Sequence, residues 1–155
     1  MCRTKPQNGR TGFNIFYVFF YGFFAINYID HVAAPHTAQG YHAWLAFMYF
    51  APFLLFYDWK TVVIYGLTVS LLNDLFYAPF GNIFLGKSYN LLDWYSFQLG
   101  GKGSTLWWFY DAGFFKIPVT SLTMFASILM RLEIILFLAV YPHALAKVQQ
   151  SLNAV

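Results

Sequence analysis

The sequence predicts an all-α, polytopic integral membrane protein, and three observations lead there. Of its 155 residues 59% are hydrophobic and only 10% charged, with a mean hydropathy of +0.52. A water-soluble domain carries about 25% charged residues, so a folded surface in water would be far too apolar. The apolar residues are gathered into runs of the length that crosses ~30 Å of hydrocarbon as helix. Finally, 23% of the chain is aromatic, and between residues 81 and 116 a few lysines are interspersed among the rings, the composition of a headgroup zone. Residues 1–155 read as a single membrane domain with four transmembrane helices. A net charge of +3, thinly dispersed, argues against nucleic acid as a partner, and Cys2 as the single cysteine excludes an intrachain disulfide.

The basic tail with Arg3, Lys5 and Arg10 leads into the first span, 13–29. A basic start before an apolar run is how a secretory signal begins, but Val32-Ala33-Ala34 is followed by Pro35, an unfavourable cleavage context, so the segment is expected to stay as a span. Asp30 to Gly40 is a loop. The second span, 41–57, contains Pro52, which removes a backbone donor and predicts a kink. Asp58-Trp59-Lys60 forms a tight turn into the third span, 61–80, ending at Pro79-Phe80-Gly81. Residues 81–116 form an aromatic-rich interfacial segment, with a short helix near Tyr89–Leu99. The fourth span, 117–141, opens with Pro118 as a helix-start proline and precedes an amphipathic tail. Arg3, Lys5, Arg10, Lys60 and Lys147 would share one side against Lys87, Lys102 and Lys116, which places both termini in the cytoplasm. The setting this implies is the plasma membrane of a prokaryote.

The third and fourth spans carry a polar face. Gly66, Ser70 and Asp74 recur every four residues, and Thr120, Thr123, Ser127 and Arg131 follow at spacings of three and four. Side chains lean toward the N-terminus of their helix. In antiparallel neighbours Asp74 and Arg131 therefore lean toward each other, and an approach of the two is expected. Glu133 lies on another side of the fourth span and is expected to face a partner, because a lone carboxylate toward lipid is unfavourable.

Asp30, His31, His36 and His42 place one carboxylate and three imidazoles within thirteen residues, a donor set that suits copper or zinc. The spacing is not a zinc signature, and a solvated or hydrogen-bonding loop is the competing reading. Gly100-Gly101-Lys102-Gly103-Ser104 lacks the spacing of a phosphate-binding loop and reads as an external turn. No nucleophile motif or carboxylate pair is evident, so no catalytic residue is assigned.

The Asp30, His36 and His42 group on a small, aromatic-rich four-span chain resembles, in general type, the copper membrane monooxygenases. The family's own Asp–His–His spacing is not reproduced. What the resemblance implies is a small accessory subunit of the kind found beside the core subunits in archaeal ammonia monooxygenase. On this reading the chain is a non-catalytic structural subunit of a membrane oxidoreductase complex, with other integral membrane subunits and bound lipids as partners. The alternatives are a self-contained membrane enzyme with its metal in the Asp30–His42 loop, or a small transporter with Asp74 and Arg131 along its path.

Overall fold

The computed structural model describes residues 8–33 and 39–152, with side chains placed over 12–32 and 39–141. The chain is mostly helical, 69% helix with two short strands. Its helices are α1 (Asn8–Phe20), which continues through π-helical turns at Tyr21–Ile26 and Ile29–Ala33, then α2 (Tyr41–Phe50), α3 (Trp59–Phe84), α4 (Leu91–Gln98) and α5 (Ser121–Leu152). Strands β1 (Leu106–Asp111) and β2 (Lys116–Thr120) form an antiparallel hairpin between α4 and α5.

Among the described residues three helical segments are long and apolar enough to cross a membrane: Gly12–Val32, Trp59–Phe84 and Ser121–Tyr141. The first explains its aromatic richness by geometry. Phe13, Tyr17 and Tyr21 stack at four-residue spacing, as do Phe16 and Phe20, with Phe24 tilted against Phe20, so rings along a helix face support one another. Within its π-helical stretch the Asn27 amide donates to two backbone carbonyls, Gly22 O and Phe23 O, each at 3.0 Å. Phe53, fully buried, is met edge-on by Tyr17, Tyr21 and Tyr65 and ties this rod to α2 and α3.

Three expectations are revised. The fold is not all-α. The hairpin runs through Trp107-Trp108-Phe109-Tyr110, where continuous aromatic residues give no alternation to mark a strand. Pro118 is not at a helix start but sits in β2 opposite Phe109, where a strand of a two-stranded sheet has an unpaired edge and no need of every N–H. Helix α5 starts instead at Ser121, behind a reciprocal cap in which Thr123 N donates to Thr120 Oγ1 at 3.2 Å and Thr120 N to Thr123 Oγ1 at 2.9 Å. The segment 41–57 is not one long helix. Helix α2 ends at Phe50, and tighter turns follow, with Phe53 N donating to Phe50 O and Phe56 N to Phe53 O. Pro52 lies where the helical ladder stops.

Pro79 has the opposite outcome, since α3 runs through it to Phe84. A proline there leaves the carbonyl four residues back without its donor, and α4 supplies a substitute. The Tyr95 hydroxyl donates to Leu75 O at 3.2 Å, and Trp94 Nε1 donates to Asp74 O at 3.0 Å. Helix α4, capped by Asn90, is thus a patch over the Pro79 irregularity. Tyr95→Phe should cost about 1 kcal/mol of stability in mixed micelles, and much less in a Pro79→Ala background, where α3 can bond Leu75 O itself.

Candidate functional site

Helices α2 and α5 each pack on α3, and between them lies a cavity of about 830 Å³, covered by α4 and the hairpin. Trp94, Trp107 and Trp108 line this half-open cavity, while Ser70, Asn73 and Asp74 of α3 bring polar groups to its wall.

Those α3 residues feed two polar clusters on either side. Toward α5, Arg131 Nη2 lies 2.6 Å from Asp74 Oδ2, Nη1 donates to Ser70 Oγ at 2.7 Å, and Nε donates to Ser127 O at 3.1 Å. The pair is largely enclosed, with the Arg131 side chain 9% and the Asp74 side chain 20% exposed. Toward α1 and α2, Asn73 Nδ2 donates to Asp30 Oδ2 at 3.0 Å and to the Tyr49 hydroxyl at 3.2 Å, while the Tyr41 hydroxyl donates to Asp30 Oδ1. Adjacent residues of one helix, Asn73 and Asp74, therefore join two polar clusters that border the same cavity.

The other residues predicted to matter fall in different places. Gly66 faces α2 rather than α5: a Cβ there would collide with the Phe50 ring, so the glycine lets the two helices close up. Thr123 serves the α5 cap and borders the cavity; Ser127 borders it too and gives its carbonyl to Arg131. Glu133 is exposed on α5. Asp30 is held by Tyr41 and Asn73, while His31 donates from Nδ1 to Asn27 O at 2.9 Å and stacks on Tyr77 with ring centres 3.8 Å apart. His42 Nδ1 accepts from Asp111 N at 2.9 Å. No group of three or more His, Cys, Asp or Glu gathers among the described residues, and His36 lies outside them.

His42 belongs instead to a latch joining the start of α2 to the hairpin. Tyr110 OH donates to His42 O at 3.0 Å, and Gln39 Nε2 donates to Gly113 O at 2.6 Å. Gly40 and Gly113 both have positive φ, 75° and 93°, and their backbones nearly touch: a Cβ on Gly40 would stand 3.3 Å from Gly113 Cα. Burial pushes the Tyr110 hydroxyl up, so it stays a donor. The N–H groups of Gly113 and Gly40, at 2.8 and 3.1 Å, hold the Asp111 carboxyl below its ordinary value. A depressed folded value means the stabilisation is complete above the unfolded carboxyl pKa of about 3.9 and is lost as pH falls toward the lowered one. The protection factors of the Gly40 and Gly113 amides, observed exchange taken against the intrinsic rate at each pH, should therefore fall below about pH 4 while those of the α3 amides hold.

Asn73, Tyr41 and Tyr49 are site residues that the sequence pattern does not pick out. An asparagine within an apolar span is a readable signal; the tyrosines, among twelve in the chain, are not. Comparison with protein-family models, with curated proteins and with solved structures finds no match to the chain.

Proposed function

We propose that this chain is a non-catalytic accessory subunit that packs against larger integral subunits of a membrane complex, with an oxidoreductase of the copper membrane monooxygenase type as the leading candidate. In this reading it crosses the bilayer four times, α2 and the turns after it making the second crossing, and both termini are cytoplasmic.

The observation that supports it is Glu133. It is exposed near the middle of Ser121–Tyr141, and no described residue hydrogen-bonds to it. An acidic side chain toward the centre of hydrocarbon costs about 2.5–3.5 kcal/mol on insertion scales, and a polar group on a neighbouring subunit removes that cost. Leu136 and Phe137, 60% and 58% exposed on the same helix, provide apolar area beside it.

Native purification in mild detergent tests this. Photo-crosslinking residues at Leu136 and Phe137 should capture a larger membrane polypeptide. Glu133→Leu should weaken that association, with Glu133→Gln intermediate. A monomer that is stable, metal-loaded and active by itself would contradict the proposal.

A further inference from the structure

The cavity between α2 and α5 has the makings of a ligand site. We infer that it takes a neutral lipophilic alcohol, an apolar body ending in one hydroxyl, with the hydroxyl on Asp74 and the body against the indoles of Trp94, Trp107 and Trp108.

Size comes first. At about 830 Å³ the cavity lies toward the upper end of the ~300–1,000 Å³ found for small-molecule sites, room for a steroid or isoprenoid body. Wall chemistry comes second. Trp94 commits its N–H to Asp74 O, so what remains of that indole for the cavity is apolar ring. Trp107 and Trp108 lie beside it, with ring centres 5.8 and 6.4 Å away. Leu45, Leu67 and Met124 extend the apolar lining.

The polar end selects the head group. Arg131 and Asp74 neutralise each other at 2.6 Å, so a charged head would gain one partner and face a like charge beside it. The hydrogen bonds are less complete than the charges. Asp74 uses Oδ2 on Arg131, its Oδ1 receives no hydrogen bond from a described residue, and its side chain keeps 20% of its surface open where it borders the cavity. A neutral donor completes that carboxylate without disturbing the pair, and a hydroxyl is the smallest group that does so while also accepting from a remaining Arg131 N–H. An ester or ether, having no donor, leaves Oδ1 unsatisfied.

The test uses the full chain in phosphatidylcholine nanodiscs. Trp44 and Trp59, both exposed away from the cavity lining, are changed to Phe so that the cavity indoles dominate the fluorescence. The probe is dodecanol brominated at its far carbon, because bromine quenches an indole on contact. Quenching should saturate, and half-saturation should be at least about tenfold weaker for the methyl ether and for the matching brominated acid, as for one lost hydrogen bond to a charged group. Ser127→Leu, which fills space beside Arg131 yet keeps the backbone carbonyl that Arg131 uses, should abolish saturation. Equal, non-saturating quenching by alcohol, ether and acid means partition into lipid only and overturns the proposal. So does saturation that survives Ser127→Leu. The head-group series needs no cavity variant and stands even where that substitution prevents folding. Competition by cholesterol, farnesol and dioleoylglycerol then assigns the body to sterol, isoprenoid or glycerolipid; displacement by none of them also overturns a membrane alcohol as occupant.

Discussion

Replacing Arg131 by methionine should lower stability by about 3 kcal/mol or more, a larger loss than any other single substitution in the two polar clusters should cause. The side chain delivers three hydrogen bonds, to Asp74, Ser70 and the Ser127 carbonyl. Their loss leaves the Asp74 carboxylate enclosed with no cation. Replacing both partners should behave differently. With Asp74→Leu and Arg131→Met together no charge is stranded, and desolvation of the native pair offsets much of its attraction. The double variant should therefore lie within about 1 kcal/mol of the native protein. Equilibrium unfolding of Arg131→Met, Asp74→Leu and the double variant in mixed micelles measures the effects, and the cycle yields the coupling between the two side chains.

Asn73→Leu should cost about 2 kcal/mol. The substitution fits the volume but removes two donated hydrogen bonds at once, to Asp30 Oδ2 and to the Tyr49 hydroxyl. Asp30 is buried, and an acceptor carrying charge loses more than a neutral one when a donor is withdrawn. The structural consequence is local: the Asp30 end of the first helical rod is joined to α3 by this amide across 43 residues of sequence. Tyr41→Phe removes a further donor to the same carboxylate. The two changes together should cost less than the sum of the single effects, because both donors serve one carboxylate and its surroundings reorganise once rather than twice. Hydrogen exchange over Ile26–His31 reports this loosening separately from global unfolding.

Much of the α3–α5 contact is legible in the sequence because helix geometry alone constrains it. Ser70 and Asp74 share a face, as do Ser127 and Arg131, and the lean of side chains toward the N-terminus brings Asp74 and Arg131 together across antiparallel helices. Gly66 has the same spacing but turns to Phe50, since a one-helix periodicity does not say which neighbour a face meets. The hairpin is illegible for a different reason. Its aromatic run Trp107–Tyr110 and its partner Ile117–Val119 have neither alternation nor a charged face, so strand and helix are indistinguishable by period. Two prolines inside apolar runs meet different fates, and both depend on tertiary partners. Pro79 is carried through because Tyr95 and Trp94 restore donors nearby, whereas the ladder stops at Pro52 and tight turns follow. The cavity lies where α2, α5 and the hairpin meet around α3, a long-range outcome that no local pattern encodes.

Oxygen and nickel-chelate accessibility of spin labels on α5 tests most directly whether lipid surrounds this chain. Single cysteines replace Met130, Leu136 and Phe137, all more than half exposed, with Cys2 changed to Ser, in phosphatidylcholine nanodiscs. Immersion in hydrocarbon predicts relaxation by oxygen and protection from the water-soluble chelate at all three positions. Ready access of the chelate to Leu136 and Phe137 in the assembled disc would place this helix in water and contradict a membrane-embedded fold.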